Sequence, residues 1–343
     1  DQMLAAAQTI RSLQPEAVII IGGVHAELNQ EDFQQPEADL IVHSGGFFTF
    51  VDILSQERAD WSKIVGISWQ DEQGQWQENP TARFDPQSLP HPDRSYFHTH
   101  KHYFSWLYHG PVALVKTGFG CPYSCSFCSC RLLNNGVYQT RKVEEVVEEI
   151  KAIHCSLIWL IDDTFLLDPQ RVSSFAAALQ QQNIQKKFII YGRADFICKH
   201  PETLALLKEI GVIEVIVGLE AIDDQGLEEF NKQVNADQNQ ECVRLLRQQG
   251  IGCVGLFIMD QQARAADFRK LDQWIKKTGL DDVLLLTGES RKHTDVHYIG
   301  KCSKLASEYF NSVGIEIYPL EINEYKYLIQ MGVSSLTIYQ ETY

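Results

Sequence analysis

The sequence predicts an α/β fold, a parallel TIM-type (β/α) barrel that begins at about residue 111. From there on, short aliphatic and β-branched runs alternate with helical stretches, which is the pattern of a sheet built from βα units. Eight such runs occur. Glycines fall a few residues before several of them, where a helix has to end. The sequence therefore predicts eight parallel strands, with no helix after the last.

Each element of the barrel has its own signal. We predict strands at residues 112–116, 157–161, 188–192, 214–218, 253–259, 283–287, 315–319 and 336–340. Between the first two, helical spacing puts one set of residues on an apolar face: Val143, Val146, Val147, Ile150 and Ile153. The opposite face is expected to meet water through Glu144, Glu145, Glu148 and Glu149.

Further helices show start and stop signals. Asp168-Pro169 and His200-Pro201 are typical of helix starts. Helix ends are predicted at Gly211, Gly250, Gly279 and Gly332.

A smaller unit is predicted upstream of the barrel. Residues 17–26 read AVIIIGGVHA, a buried strand that runs into a tight turn at Gly22 and Gly23. Residues 40–42 repeat the pattern, followed by Gly45 and Gly46. Residues 70–110 are rich in Pro, Gln, His and Asp and are expected to form a linker. The predicted domains are thus 1–69, 70–110 and 111–343; the linker histidines are a polar connector or, alternatively, a metal tract.

Composition excludes several classes of function. The chain has 30 Lys and Arg against 45 Asp and Glu, and a net charge of −15 disfavours binding of nucleic acid. No apolar run is long enough to span a bilayer, and no signal-peptide pattern opens the chain. Six of the nine cysteines are scattered without a disulfide framework. We expect a cytoplasmic protein without membrane contact, and a fragment at both ends.

Three cysteines carry the strongest chemical signal. Cys121, Cys125 and Cys128 form a C-x₃-C-x₂-C motif directly after the first barrel strand. Thiolates are the usual ligands of iron–sulfur clusters, and one loop can hold three corners of a cluster. The fourth iron would then be open to another ligand, which implies catalysis. The alternatives are a zinc site with Cys130 as fourth ligand, or three buried thiols.

The motif and its place after the first strand resemble those of the radical S-adenosylmethionine (SAM) enzymes. The resemblance implies that the three cysteines ligate a [4Fe–4S] cluster whose open iron is chelated by SAM, and that Phe127 packs near the adenine. It also implies an electron donor such as flavodoxin or ferredoxin. In this family, reduction of the cluster cleaves SAM to a 5′-deoxyadenosyl radical, which abstracts hydrogen from the substrate.

Charged residues follow the next predicted strands, where barrel enzymes place their catalytic groups. Asp162 and Asp163 come after the second strand, Arg193 after the third and Glu220 after the fourth. Arginine and carboxylate groups recognise the carboxylate, amino and ribose groups of a ligand through charge-assisted hydrogen bonds. We expect Arg193, Glu220 and Asp162 to contact SAM. The alternative is an ion pair that seals the barrel mouth.

Residues 1–260 resemble the radical SAM enzymes that also carry a cobalamin-binding domain. The resemblance rests on IDDTF at 161–165, on GLE at 218–220 and on the two strand–glycine units upstream. It implies a truncated Rossmann-like cobalamin-binding remnant, in which Gly22 and Gly23 approach the nucleotide tail of the cofactor. The Asp-x-His-x-x-Gly motif of such domains does not occur in the sequence, and residues 44–47 read SGGF in place of a Gly-Glu-Gly-Glu-like run.

The last part of the chain resembles a different subgroup. LLLTGE at 284–289, IEIYPL at 315–320 and IYQETY at 338–343 are similar to 2-iminoacetate synthase and its tyrosine-cleaving relative of hydrogenase maturation. In those proteins the Thr-Gly-Glu run follows the second strand, whereas here it follows the sixth. The resemblance therefore changes at about residues 260–282. We consider two explanations, a chimera of two barrels and a single family whose later strands have drifted.

The sequence favours a radical SAM enzyme that acts on a small molecule or peptide by cobalamin-linked methyl transfer or a related modification. A tyrosine-lyase-type reaction is the alternative enzyme. A non-catalytic iron–sulfur or zinc protein is the alternative from another class.

Overall fold

The computed structural model describes residues 2–82, 84–106, 109–134, 136–258, 265–279, 282–286, 291, 294–310 and 312–338. Two compact units divide the chain, with the boundary between Asp85 and Pro86. This boundary falls inside the stretch that the sequence predicts as a linker, residues 70–110. None of the helices among these residues combines the length and apolar character needed to cross a membrane.

The first unit is a small mixed sheet with short helices. Its strands are β1 (Ile20–Ile21), β2 (Leu40–Val42), β3 (Ile67–Gln70) and β4 (Trp76–Glu78), and its helices are α1 (Gln2–Leu13), α2 (Val24–Leu28) and α3 (Gly46–Ser55). The first two strands are parallel, with Ile20 opposite Leu40, and the other pairs are antiparallel. Both predicted strand–glycine units are therefore present, and β1 and β2 lie side by side.

The second unit contains one sheet of eight parallel strands. These are β5 (Ala113–Val115), β8 (Leu157–Leu160), β9 (Lys187–Gly192), β10 (Val212–Glu220), β11 (Gly252–Phe257), β12 (Asp282–Leu286), β13 (Ser312–Ile317) and β14 (Ser335–Ile338). They follow one another in chain order across the sheet, from β5 at one edge to β14 at the other. A short antiparallel pair, β6 (Gly118–Phe119) and β7 (Gln139–Thr140), interrupts the order after β5. The predicted α/β barrel class and all eight predicted strands are confirmed.

The helices of this unit are α4 (Ser95–His100), α5 (Cys130–Leu133), α6 (Val143–Ala152), α7 (Pro169–Gln181), α8 (Ala194–Lys199), α9 (Glu202–Glu209), α10 (Asp224–Glu229), α11 (Ala236–Gln248), α12 (Ala265–Thr278), α13 (Val296–Ala306) and α14 (Ile322–Gln330). Asp168 caps α7 by accepting a hydrogen bond from the N–H of Gln170, as predicted. The four predicted helix-ending glycines all have positive φ angles. The helices cover the outer face of the sheet, and their apolar residues share one core with it.

One prediction about α6 is wrong. Glu149 does not face water but is 3% exposed. Its Oε2 lies 2.6 Å from Nη1 of Arg141, and Arg94 pairs with its other oxygen. A buried carboxylate requires such partners, and both arginines come from segments outside the helix.

Candidate active site

The three cysteines lie in a loop that leaves the carboxyl end of β5. The loop is bounded by the β6–β7 pair, in which Gly118 lies opposite Thr140. Cys121 and Cys125 are partly buried, and Cys128 is exposed. The thiols thus lie at the edge of the sheet where parallel barrels place their catalytic groups.

Gly120 gives the loop its turn directly before the first cysteine. Its φ angle is +84°, and a Cβ atom there would lie 2.0 Å from the carbonyl oxygen of Val137. Only glycine satisfies both the left-handed backbone and the close approach. The Gly-Cys start of the motif is therefore a structural requirement of the loop.

Two carboxylates after β8 hold the start of the loop. Asp162 is 1% exposed, and its oxygens accept hydrogen bonds from the N–H and the hydroxyl of Thr117 at 2.6 and 2.5 Å. Asp163 accepts from the N–H of Gly120 at 2.7 Å and pairs with Lys116 at 3.2 Å. Burial raises the pKa of Asp162 to about 6, although the bonds from Thr117 oppose the rise. Both aspartates brace the cysteine loop; contact between Asp162 and SAM stays a prediction.

The end of α10 and the residues that follow it, 229–233, support the middle of the loop and are called the bracing segment below. Asn231 donates from Nδ2 to the carbonyl oxygen of Ser124 at 2.8 Å and to its hydroxyl at 3.0 Å. The N–H of Ser126 donates to a carbonyl of the segment at 3.0 Å. The cysteine loop is thus held from two different βα units.

The bracing segment is strained on both sides of Lys232. Asn231 and Gln233 have φ angles of +48° and +59°. Left-handed conformations cost non-glycine residues about 1–3 kcal/mol and persist only where the surrounding contacts fix them. Strain of this kind clusters at functional sites, which marks Lys232 as a residue of interest.

Arg193, at the end of β9, lies directly behind the cysteine loop. Its guanidinium stacks on Tyr123, with Cζ 3.4 Å from the ring centroid. Nε donates to Asp195 at 2.9 Å and Nη2 to the carbonyl oxygen of Lys232 at 2.8 Å. Nη1 lies 4.0 Å from the sulfur of Cys125. A buried positive charge therefore stands next to the middle cysteine.

Glu220, at the end of β10, forms a buried ion pair with Lys232. The register of β10 shifts between Gly218 and Glu220, and Glu220 has a φ angle of +63°. Its Oε1 accepts from Nζ of Lys232 at 2.8 Å, and the two side chains are 7% and 8% exposed. A Cβ atom at Gly218 would lie 2.2 Å from Oε1 of Glu220, so glycine leaves the room that the carboxylate occupies.

Phe127 joins this group from the cysteine loop. Nζ of Lys232 lies 5.9 Å from its ring centroid, and Phe230 meets it edge to face at 5.6 Å. The ring is still 47% exposed. Phe127 therefore presents an open aromatic surface beside the thiols.

The donor set, three free thiols on one loop, is of the kind that iron–sulfur clusters take. Burial raises the pKa of Cys121 and of Cys128, and the neighbouring thiols raise it further. Among the residues that the structure describes, no three His, Cys, Asp or Glu side chains form a group that could hold a metal ion.

Cys130 differs from the triplet. It begins α5, and burial together with the nearby Asp163 carboxylate raises its pKa to about 12.

The glycines predicted to bind cobalamin lie in the first unit. Gly22 and Gly23 follow β1, and Gly23, with a φ angle of +100°, precedes α2. His25 in the same run pairs with Asp32 at 2.8 Å. No feature of these residues identifies a nucleotide, and their role stays a prediction.

The structure thus brings together the three cysteines, Phe127 and Arg193, and it joins Glu220 to them through Lys232. Sequence reasoning missed a set of residues with polar contacts to this group, namely Tyr123, Asp195, Asn231 and Lys232. Tyr123 could have been identified from the sequence, because it is an aromatic residue inside the cysteine motif. The Thr-Gly-Glu run at 287–289 and Glu341 lie outside the described residues.

Comparison with known proteins identifies the class. A model of the radical SAM superfamily matches residues 115–301, more than half of the chain. The chain therefore belongs to the radical SAM superfamily, as the cysteine motif predicted.

Three similar proteins refine this result. Hopanoid C-3 methylase of Methylococcus capsulatus is 25% identical over 279 residues, which are 80% of this chain and 53% of the methylase. 2-Iminoacetate synthase of Escherichia coli is 33% identical over 78 residues, 23% of this chain and 21% of that protein. The solved structure of OxsB, a cobalamin-dependent SAM radical enzyme with aqua-cobalamin and SAM bound, aligns with a TM-score of 0.66 at 19% identity. The aligned part is 95% of this chain and 45% of the OxsB chain.

Both resemblances that the sequence showed, to cobalamin-dependent radical SAM enzymes and to 2-iminoacetate synthase, are therefore confirmed as similarities. The chain spans about half the length of the methylase and of OxsB.

Proposed function

We propose that the protein reductively cleaves SAM at a [4Fe–4S] cluster held by Cys121, Cys125 and Cys128. The observation that carries this proposal is the double bracing of a loop with three thiols at the carboxyl edge of the sheet. When bound, the cluster would supply the electron that cleaves SAM and yields a 5′-deoxyadenosyl radical. Preorganised surroundings of this kind are what a reactive centre requires.

The surrounding side chains have separable roles in this proposal. Arg193 keeps a positive charge beside the sulfur of Cys125 and holds the loop through its stacking on Tyr123. Phe127 offers its exposed ring to the adenine. Glu220 faces the polar groups of SAM, and Lys232 orients its carboxylate. Asp162 and Asp163 hold the start of the cysteine loop through hydrogen bonds from Thr117 and Gly120.

Anaerobic reconstitution with iron and sulfide, followed by dithionite and SAM, tests the proposal. We expect 5′-deoxyadenosine from the wild-type chain. Cys125→Ala should lose the cluster absorbance and the product, whereas Cys302→Ala, a partly buried cysteine on α13, should keep both. A fully loaded protein that forms no 5′-deoxyadenosine would overturn the proposal.

We further propose methyl transfer, or a related carbon-centred modification, on a small molecule or peptide. The support is similarity to a methylase and to a cobalamin-dependent enzyme. An electron donor such as flavodoxin or ferredoxin would reduce the cluster, and the need for reduced thiols suggests the cytoplasm. Titration with hydroxocobalamin tests the cobalamin step, and absence of binding to the full-length gene product would remove it.

A tyrosine-lyase reaction is the second candidate, favoured by the match to 2-iminoacetate synthase. It requires p-cresol from tyrosine under conditions in which SAM is cleaved. Absence of p-cresol from an enzyme that forms 5′-deoxyadenosine would eliminate this candidate.

A further inference from the structure

The sulfur of Cys125 has a different neighbour from the other two thiols of the motif. Cys121 and Cys128 receive hydrogen bonds from backbone N–H groups of the loop itself, which are neutral donors. Cys125 instead receives a side-chain donor, because Nη1 of Arg193 lies 4.0 Å from its sulfur and donates to it. A guanidinium stays protonated in proteins. The middle thiol of the motif therefore meets a full positive charge.

The other nitrogens of Arg193 have partners that fix the direction of Nη1. Nε donates to Asp195 at 2.9 Å, and Nη2 donates to the carbonyl oxygen of Lys232 at 2.8 Å. The guanidinium stacks on Tyr123, whose hydroxyl donates to Asp195 at 3.0 Å. Nη1 is thus aimed at the sulfur by contacts on the other two nitrogens and on one face of the group.

This arrangement also leaves room for a second ligand of Arg193. Nη1 carries two N–H groups, and the sulfur of Cys125 accepts from one of them. Among the described residues nothing accepts from the other, so it stays available for the predicted contact with SAM. A role toward the thiol and a role toward SAM are therefore compatible.

Burial makes the charge of Arg193 effective at the sulfur. Arg193 is 6% exposed, so little water screens it. Asp195 offsets part of the charge, but it pairs with the edge formed by Nε and Nη2, which lies opposite Nη1. The sulfur of Cys125 is therefore closer to the positive group than to the carboxylate, and the net field at this thiol is positive.

We propose that Arg193 raises the reduction potential of the [4Fe–4S] cluster through the sulfur of Cys125, and that Asp195 is a positioning residue that limits this effect through Arg193. The inference deepens the proposed function and rests on it. One electron from the donor adds one negative charge to the cluster and its thiolates, and no bond forms or breaks. A nearby positive charge and an N–H···S hydrogen bond both stabilise that added charge, so reduction becomes easier.

The midpoint potential of the cluster in the reconstituted full chain tests the inference. It is measured without SAM, in a dye-mediated titration followed by electron paramagnetic resonance. Arg193→Met should lower the potential by at least about 59 mV, which corresponds to about tenfold less reduced cluster at a fixed potential of the solution. Arg244→Met makes the same change on α11, where the side chain is 51% exposed, and should leave the potential unchanged. An unchanged or higher potential in Arg193→Met, or an equal fall in both variants, would overturn the inference.

Asp195→Asn gives an answer even if Arg193→Met fails to hold a cluster. Asparagine can still accept from Nε of Arg193 and from the hydroxyl of Tyr123, but it lacks the negative charge that offsets the guanidinium. The potential should therefore rise, opposite to the shift in Arg193→Met. A purely structural role of the Arg193–Asp195 pair predicts no shift in a variant that keeps these hydrogen bonds. No shift, or a fall, would overturn the inference.

The inference can fail separately from the proposed function, because the potential is measured without SAM and without product. A wild-type chain that cleaves SAM, with unchanged potentials in Arg193→Met and Asp195→Asn, would overturn only the inference. A wild-type chain that shows the expected shifts but forms no 5′-deoxyadenosine would overturn only the proposed function. A wild-type chain that takes no cluster would overturn both.

Discussion

Lys232→Met should destabilise the protein far more than its position in a loop suggests. Lys232 and Glu220 form an ion pair at 2.8 Å, with both side chains more than nine-tenths buried. Removing one member of such a pair leaves an unpaired buried charge and costs about 3–5 kcal/mol. We expect a loss of this size in the free energy of unfolding, together with a raised KM for SAM, because Glu220 loses its orientation.

Urea unfolding of three further variants, Lys276→Met, Glu220→Gln and Lys232→Met/Glu220→Gln, measures this effect. Lys276→Met removes a similar contact, 2.9 Å from Asp272, but with Lys276 69% exposed, so a loss of about 0–1 kcal/mol is expected. The double variant Lys232→Met/Glu220→Gln also removes the unpaired charge of Glu220, so it should recover part of the lost free energy of unfolding. A loss below about 1 kcal/mol in Lys232→Met, or a double variant as unstable as the sum of the single ones, would refute the reasoning.

Three other predictions concern the loop supports. For Asp162, the raised pKa means that the folded state holds its proton more tightly than the unfolded state, so its stabilising contribution is present below about pH 4 and is lost as the pH rises through about 6. Relative to Asp162→Asn, the free energy of unfolding of the wild type should fall by about 3 kcal/mol between about pH 4 and about pH 6. Parallel plots of unfolding free energy against pH for the two proteins would contradict this. Asn231→Ala should lower stability and iron retention, because it removes two hydrogen bonds from a strained position. Asn231→Gly should lose less stability, because glycine relieves the strain. Equal losses of stability in the two variants would show that strain plays no part. Gly120→Ala should lower the iron content by more than half, since its Cβ would meet the carbonyl of Val137. Gly74 also has a left-handed backbone but lies in open space, so Gly74→Ala should lower only stability. Full iron loading of Gly120→Ala would contradict the role of this turn.

Much of the fold could be predicted because its signals are local. β-Branched runs and glycines located all eight strands and four helix ends, and the spacing of three cysteines located the loop. The acidic pair after β8 was also found, since the carboxyl ends of parallel strands are where barrel sites lie.

The remainder depends on contacts between distant segments. Lys232 meets Glu220 because β10 carries a bulge and the bracing segment turns back on the loop, and neither feature has a sequence pattern. The helical spacing of α6 predicted that Glu149 faces water, but in the structure it is buried against Arg141 and Arg94. Periodicity describes one element at a time, so it cannot show partners supplied by other elements.

The most direct test of the central claim is the yield of 5′-deoxyadenosine from the reconstituted, dithionite-reduced chain with SAM. The proposed chemistry predicts product from the wild type and from Cys302→Ala, and none from Cys121→Ala, Cys125→Ala or Cys128→Ala. Product that persists in any of these three variants, or no product from a wild-type chain that holds its full cluster, would contradict it.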